Sequence, residues 1–255
     1  MTILGSYQKR IINNEHNRKN DKRDYYRLLW RDGNGNWGDR IMNKKQAQAI
    51  THTLSNTSKM PGKSYSIPAQ FCNTGGKLQK VKGSVCNDCY ALKGMYRFNV
   101  VKNALLDRLA SLDHPQWSEA MIVQVKGQEY FRWHDSGDLQ TIGHLIKIVE
   151  VCNATPSTMH WLPTKEKEII KRYIRIGGVI PDNLLIRYSL PMVDSTANAF
   201  FKSDRIKSSR VLTKEKAEQV RDSQFICPAP KQGNQCGKCR ACWLPTFSDI
   251  AYLKH

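Results

Sequence analysis

Seven of the eight cysteines fall into two groups whose spacing suits metal ligation. The first is Cys72-x13-Cys86-x2-Cys89, followed by Tyr90. The second is Cys227-x8-Cys236-x2-Cys239-x2-Cys242. Gaps of two residues let successive thiolates turn toward one centre, and Gly233 and Gly237 let the backbone wrap it. A tetrahedral zinc takes one C-x2-C pair and a second pair from elsewhere. A C-x2-C-x2-C run with a remote fourth cysteine has the form of iron–sulfur ligation. The second group therefore reads as an iron–sulfur site, with zinc as the alternative. The first group has no evident fourth ligand. It can hold a four-iron cluster with one iron left open, or lend ligands to a single site shared with the second group. Cys152 lies on the apolar side of an expected helix and reads as a small buried hydrophobe.

Other residues with chemical potential follow apolar runs. His134, Asp135 and Asp138 come after Tyr130-Phe131-Arg132-Trp133. Lys165 comes after Met159-His160-Trp161-Leu162, and Arg187 and Ser189 close the run that begins at Asn183. His134 and Asp135 suit proton transfer or substrate binding. Asp138, Lys165, Arg187 and Ser189 suit contact with a cofactor, phosphate or carboxylate. Asp138 also suits turn formation and capping of the next helix.

The elements that would position these residues alternate between strand and helix. Strands are expected at 64–69, 129–134, 158–162, 183–189 and 209–212. Helices are expected at 41–58, 95–112, 115–125, 139–152, 164–176 and 213–222. The 95–112 helix has apolar residues at 98, 101, 105, 109 and 112, close to the helical period. Alternation of this kind implies parallel strands with right-handed crossovers. Chemistry then gathers at the carboxyl ends of the strands. The fold class is α/β, an incomplete (βα) barrel or open parallel sheet with a Cys-rich, metal-binding C-terminal extension. The domain layout is a basic N-terminal segment at 1–63, a barrel-like domain at 64–224 and the extension at 225–255.

The chain has 255 residues, enough for a packed core, and its 40% hydrophobic share is too high for a disordered protein. No window approaches 18 consecutive apolar residues, so neither a membrane span nor a membrane partner is expected. Met1-Thr2-Ile3-Leu4-Gly5 runs into polar residues rather than a secretory stretch. The expected compartment is a reducing cytoplasm, where cysteines are thiols or metal thiolates rather than disulfides. The 40 Lys and Arg exceed the 22 Asp and Glu, a net charge of +18, which favours an anionic partner such as a nucleotide or nucleic acid. In the N-terminal segment, Arg18, Lys19, Lys22, Arg23, Arg27 and Arg31 interleave with Tyr25, Tyr26 and Trp30. This mixture suits either single-stranded nucleic acid or an ordinary amphipathic element.

Across residues 64–244 the sequence resembles the gene product 88 group of bacteriophage proteins. The likeness rests on Cys72…Cys86-x2-Cys89-Tyr90-Ala91, on Phe131-Arg132-Trp133-His134-Asp135-Ser136-Gly137-Asp138 and on Thr164-Lys165. It continues through Asn183-Leu184, Arg187-x-Ser189 and the final Cys-x2-Cys-x2-Cys-Trp243. Such proteins look like distant relatives of radical S-adenosylmethionine barrels, whose usual motif is C-x3-C-x2-C. The resemblance implies a 4Fe-4S cluster with an open iron on Cys72, Cys86 and Cys89, S-adenosylmethionine as cofactor, and the host cytoplasm as location. The expected function is that of an iron–sulfur enzyme modifying a nucleotide or nucleic acid. The alternative is a non-enzymatic zinc protein that binds nucleic acid or a host protein.

Overall fold

The computed structural model describes residues 29–31, 37–39, 42–196 and 201–254. The expectations for residues 1–24 and the turn at 32–36 lie outside the described residues, as do the side chains of the stacking residues from Arg18 to Arg31. Met1–Ile41 and Met42–His255 form separate compact units. In the first, β1 (Leu29–Arg31) pairs antiparallel with β2 (Trp37–Asp39).

The second unit opens with α1 (Lys44–Thr51), held by a reciprocal cap between Asn43 and Gln46. Two short strands follow, β3 (Ser55–Asn56) and β4 (Lys63–Tyr65), and then α2 (Asn73–Leu78). Next come α3 (Asn99–Ser111), α4 (Trp117–Val125), β5 (Tyr130–Trp133) and α5 (Ile142–Ala154). The alternation continues through β6 (Met159–Thr164), α6 (Lys167–Arg175) and β7 (Leu184–Ser189). It ends with β8 (Ile206–Leu212), α7 (Lys214–Gln219) and β9 (Asp249–Leu253).

One seven-stranded sheet runs from β3 to β9 in sequence order. β3 pairs antiparallel with β4, and every later pairing is parallel. The α/β expectation thus holds as a mixed fold with a mostly parallel sheet. β3 and β9 are the edges of that sheet, and a closed barrel is not among the described pairings. No described helix is long and apolar enough to cross a membrane.

Strand alternation sends side chains to two faces. Phe131, Trp133, Leu162, Leu184 and Ile186 join the core packed under α4, α5 and α6, where Cys152 is also buried. Trp161 and the partly buried Tyr130 face the other way and pack on Trp243, Cys242 and Ile250. The Cys-rich segment is therefore the cover of the second sheet face rather than an appendage. Its fixing group is Arg187, which is completely buried. All five guanidinium N–H groups have acceptors, the carbonyls of Ala241, Cys242, Leu244, Phe247 and Ser208, at 2.8–3.1 Å.

The loop after β5 folds tightly against the segment after β4. His134 adopts a positive φ of 55°. Gly137 has φ +80°, and a Cβ there would lie 2.5 Å from the Ile67 carbonyl oxygen. Only glycine meets both conditions.

Candidate metal centres

The first cysteine group is assembled at the carboxyl edge of the sheet. Cys72 follows β4 and precedes α2, whose first turn is held by Glu166 from the end of β6. The Glu166 carboxylate accepts from the Thr74 amide and hydroxyl, both at 2.8 Å. The segment carrying Cys86 is tied to the end of β7, because the Val85 amide donates to the Pro191 carbonyl at 2.8 Å. The segment after Cys89 is tied to β5 through Asp135. Tyr90 donates to the Asp135 carbonyl, and Tyr96 to its carboxylate at 2.7 Å. Arg132 pairs with the same carboxylate at 2.9 Å.

Gly75 lies between Cys72 and Cys86. A Cβ on it would sit 3.5 Å from Cys86 Sγ, 3.6 Å from Cys72 Sγ and 2.9 Å from Cys72 Cβ. Two sulfurs thus flank one point that any side chain would fill. Burial pushes the Cys72 thiol up, and Asp138, Cys89, Cys86 and Glu166 add to the shift. Burial also raises Cys86, with Lys165 working against it. The Lys165 ammonium is itself pulled down by burial, while Cys86, Asp138, Cys89 and Cys72 favour its charge. These couplings place Lys165 in the electrostatic field of all three thiols, and Asp138 in that of Cys72 and Cys86.

Lys165 Nζ is held by the Leu190 carbonyl at 3.1 Å. Asp138 is buried, and its carboxyl accepts from the Leu139 and Lys165 amides at 2.7 and 2.8 Å and from the Thr164 hydroxyl. Burial raises its pKa to about 6, although these three donors oppose the shift. Asp138 thus joins the ends of β5 and β6 and fixes the backbone from which Lys165 projects. Ser189 contributes a hydroxyl 3.3 Å from that of Ser209. A surface cavity beside the site is lined by Gln70, Phe71, Cys72, Asn73, Gly76, Lys77 and Lys80.

The second group lies on the other sheet face, where Cys242 packs with Trp161 and Ile250. Cys227, Cys236, Cys239 and Cys242 all line one cavity, together with Phe225, Ala241, Trp243 and Ile250 among others. The Cys236 amide donates to the Lys59 carbonyl and that of Cys227 to Ala251, both at 2.8 Å. Burial pushes Cys242 up to about 11, opposed by Tyr252 and the Arg187 charge. The Tyr252 hydroxyl lies 3.2 Å from Cys242 Sγ and can donate to it once the sulfur is a thiolate.

Among the described residues, no three His, Cys, Asp or Glu side chains converge closely enough to hold one metal ion. The four C-terminal cysteines line one cavity, and the Cys72 and Cys86 sulfurs flank Gly75. A soft, all-thiolate donor set is of the kind that takes zinc or an iron–sulfur cluster.

A family model described as gene product 88 matches residues 35–245. The chain belongs to the gene product 88 family. Both cysteine groups and every strand-end residue named above lie within the part that matches the gene product 88 model, while β9 lies beyond it. No curated protein and no solved structure is a match.

The structure distributes the sequence-derived candidates unevenly. Cys72, Cys86, Cys89, Asp138 and Lys165 come together. Asp135 serves as the anchor for Tyr90, Tyr96 and Arg132. The His134 ring packs 5.2 Å from that of His144 on α5, on the helix side of the sheet. Arg187 stands at the other centre, with every donor already bound to a carbonyl. Gly75, Glu166, Tyr96 and Tyr252 were not among the candidates. Glu166 adjoins Lys165 in a polar strand end and could have been flagged there, whereas the other three carry no local signal.

Proposed function

We propose that this gene product 88 protein is an iron–sulfur enzyme with two unlike centres. The observation that carries the reading is the single cavity lined by all four C-terminal cysteines. Cys227, Cys236, Cys239 and Cys242 would complete the ligand set of a closed 4Fe-4S cluster. Cys72, Cys86 and Cys89 would leave one iron of a second cluster without a protein ligand. An open iron of that kind supplies a coordination position where S-adenosylmethionine can bind and be reduced.

Around that position the chain's own groups have definite tasks. Lys165 offsets the negative charge of three thiolates and can hold a carboxylate. Asp138 keeps Lys165 in place through the end of β6. The cavity beside Cys72 gives a substrate access, and Lys77 and Lys80 on its lining favour an anionic one. A nucleotide or nucleic acid satisfies that requirement. A zinc ion is the alternative for an all-thiolate set, and the Cys236-x2-Cys239-x2-Cys242 run with a remote Cys227 favours the cluster.

The test is anaerobic purification followed by metal and sulfide analysis. A brown protein containing iron and sulfide is expected, and with dithionite and S-adenosylmethionine it should release 5′-deoxyadenosine. Colourless protein with stoichiometric zinc would overturn the reading. An intact, reducible cluster that yields no 5′-deoxyadenosine would restrict the protein to a non-radical role.

A further inference from the structure

The segment that carries the first cysteine group also forms a distinctive surface. Residues 69–102 contain six cations, Lys77, Lys80, Lys82, Lys93, Arg97 and Lys102, against one acid, Asp88. All six are exposed. Asp88 is paired with Lys93, and the other five cations have no carboxylate partner among the described residues. Apolar side chains are exposed among them. Phe71, Val81, Tyr90, Met95, Phe98, Val100 and Leu106 make up seven of the twelve large hydrophobics exposed among the described residues. Phe98 is 64% and Phe71 49% exposed.

The pieces of this surface adjoin one another. The turn at Ala69–Phe71 packs on the turn at Tyr90–Leu92, which packs on Gly94–Arg97. The rings of Tyr90 and Tyr96 meet edge to face at 6.0 Å. The cavity containing Phe71, Lys77 and Lys80 also contains Cys72, so the surface leads to the first centre.

We propose that this rim binds a single-stranded polynucleotide and presents one of its nucleotides to the Cys72–Cys86–Cys89 centre. The proposal rests on the reading of that centre as a reactive site. Exposed ring faces between unpaired cations are the elements of single-strand recognition: cations follow the phosphates and rings stack on unpaired bases. A duplex stacks its bases internally and offers the rings nothing. A folded acidic protein would satisfy the cations but gives Phe71 and Phe98 no flat partners.

The test uses the full chain and a fluorescently labelled oligothymidylate of about 20 nucleotides, followed by anisotropy. Binding that weakens steadily with added salt is expected. A duplex of equal length and a poly-glutamate of similar charge should bind at least about tenfold more weakly. The Lys77→Glu/Lys80→Glu variant should lose about tenfold or more in affinity, and Phe98→Ala about tenfold, the loss of one stacked base. Lys214→Glu/Lys216→Glu on α7 makes the same charge change elsewhere and should leave binding within about twofold.

Parent-like binding by the 77/80 and Phe98 variants would overturn the proposal. Equal losses from the 77/80 and 214/216 variants would do so too, because only net charge would then matter. Iron is measured in the same samples. Iron present without oligonucleotide binding sinks the rim and leaves the cluster standing. Rim-dependent binding by iron-free protein supports the rim and removes the cluster reading.

Discussion

The two cysteine groups differ less in exposure than in what holds them: Cys242 is 9% exposed beside the fully buried Arg187 guanidinium, while Cys227, Cys236 and Cys239 are partly open, as are Cys72, Cys86 and Cys89, of which Cys72 borders a surface cavity. The four-cysteine group is wrapped by main chain. Its amides and carbonyls are fixed by Arg187, Lys59 and Ala251, and its surroundings are Trp243, Phe225 and Ile250. The three-cysteine group is held at a distance, through Glu166 on α2 and Asp135 on Tyr90 and Tyr96. Beside it stand a lysine ammonium and a rim of exposed rings. On the proposed two-cluster reading, the difference separates two tasks that one metal chemistry can perform. A centre with its full ligand set holds structure or passes electrons. A centre short of one ligand at the carboxyl edge of a parallel sheet lies where substrates of α/β proteins bind.

The largest effect that would break this contrast comes from Arg187. Arg187→Met removes a buried cation and takes one hydrogen bond from each of five carbonyls. A loss of at least about 3 kcal/mol in urea unfolding is expected. Iron should leave the closed centre first. A variant as stable as the parent would show that the Cys-rich cover does not depend on this clamp.

Gly75→Ala acts on the other centre. The added methyl enters the space between Cys72 and Cys86, so iron content should fall by about half while the closed centre persists. Unchanged iron would mean that the two sulfurs do not share a centre.

Tyr252→Phe sharpens the contrast more finely. It removes one donor to the Cys242 thiolate, worth about 1 kcal/mol, or on the order of 40 mV for a one-electron couple. The closed cluster's potential should fall by that amount and the open one's should stay. Redox titration followed by electron paramagnetic resonance separates the two.

A smaller effect concerns the core beneath the sheet. Burial pulls His144 and His160 down to about 3, against about 6.5 in an unfolded chain. Both are neutral when folded. The unfolded state therefore takes up more protons, and stability falls as pH drops below about 6.5 toward 3. The melting temperature should be lower at pH 5 than at pH 7.5, and His160→Phe should narrow that gap.

The division of the cysteines was readable from the chain because ligand spacing is local. The β-α alternation was readable for the same reason, and the strands at 129–134 and 183–189 agree with β5 and β7 to within about a residue. β3, β9 and α2 were not expected. β3 has two residues and gains its pairing from β4. α2 contains Gly75 and Gly76, which argue against a helix, and it is held by Glu166 from 92 residues away. Arg187 shows the same limit from the functional side. In sequence it is a cation at a strand end, suited to an anion. Four of its five acceptors lie 54–60 residues further along the chain, and nothing near position 187 announces them.

The central claim is that two cysteine sets hold two separate clusters. It is tested most directly by iron and sulfide analysis of anaerobically purified protein and two variants. One replaces Cys72, Cys86 and Cys89 with alanine, and the other replaces Cys227, Cys236, Cys239 and Cys242. About eight irons per parent chain and about four in each variant are expected, with sulfide in equal number. Loss of all iron in either variant would contradict two independent centres, and zinc in place of iron would contradict clusters altogether.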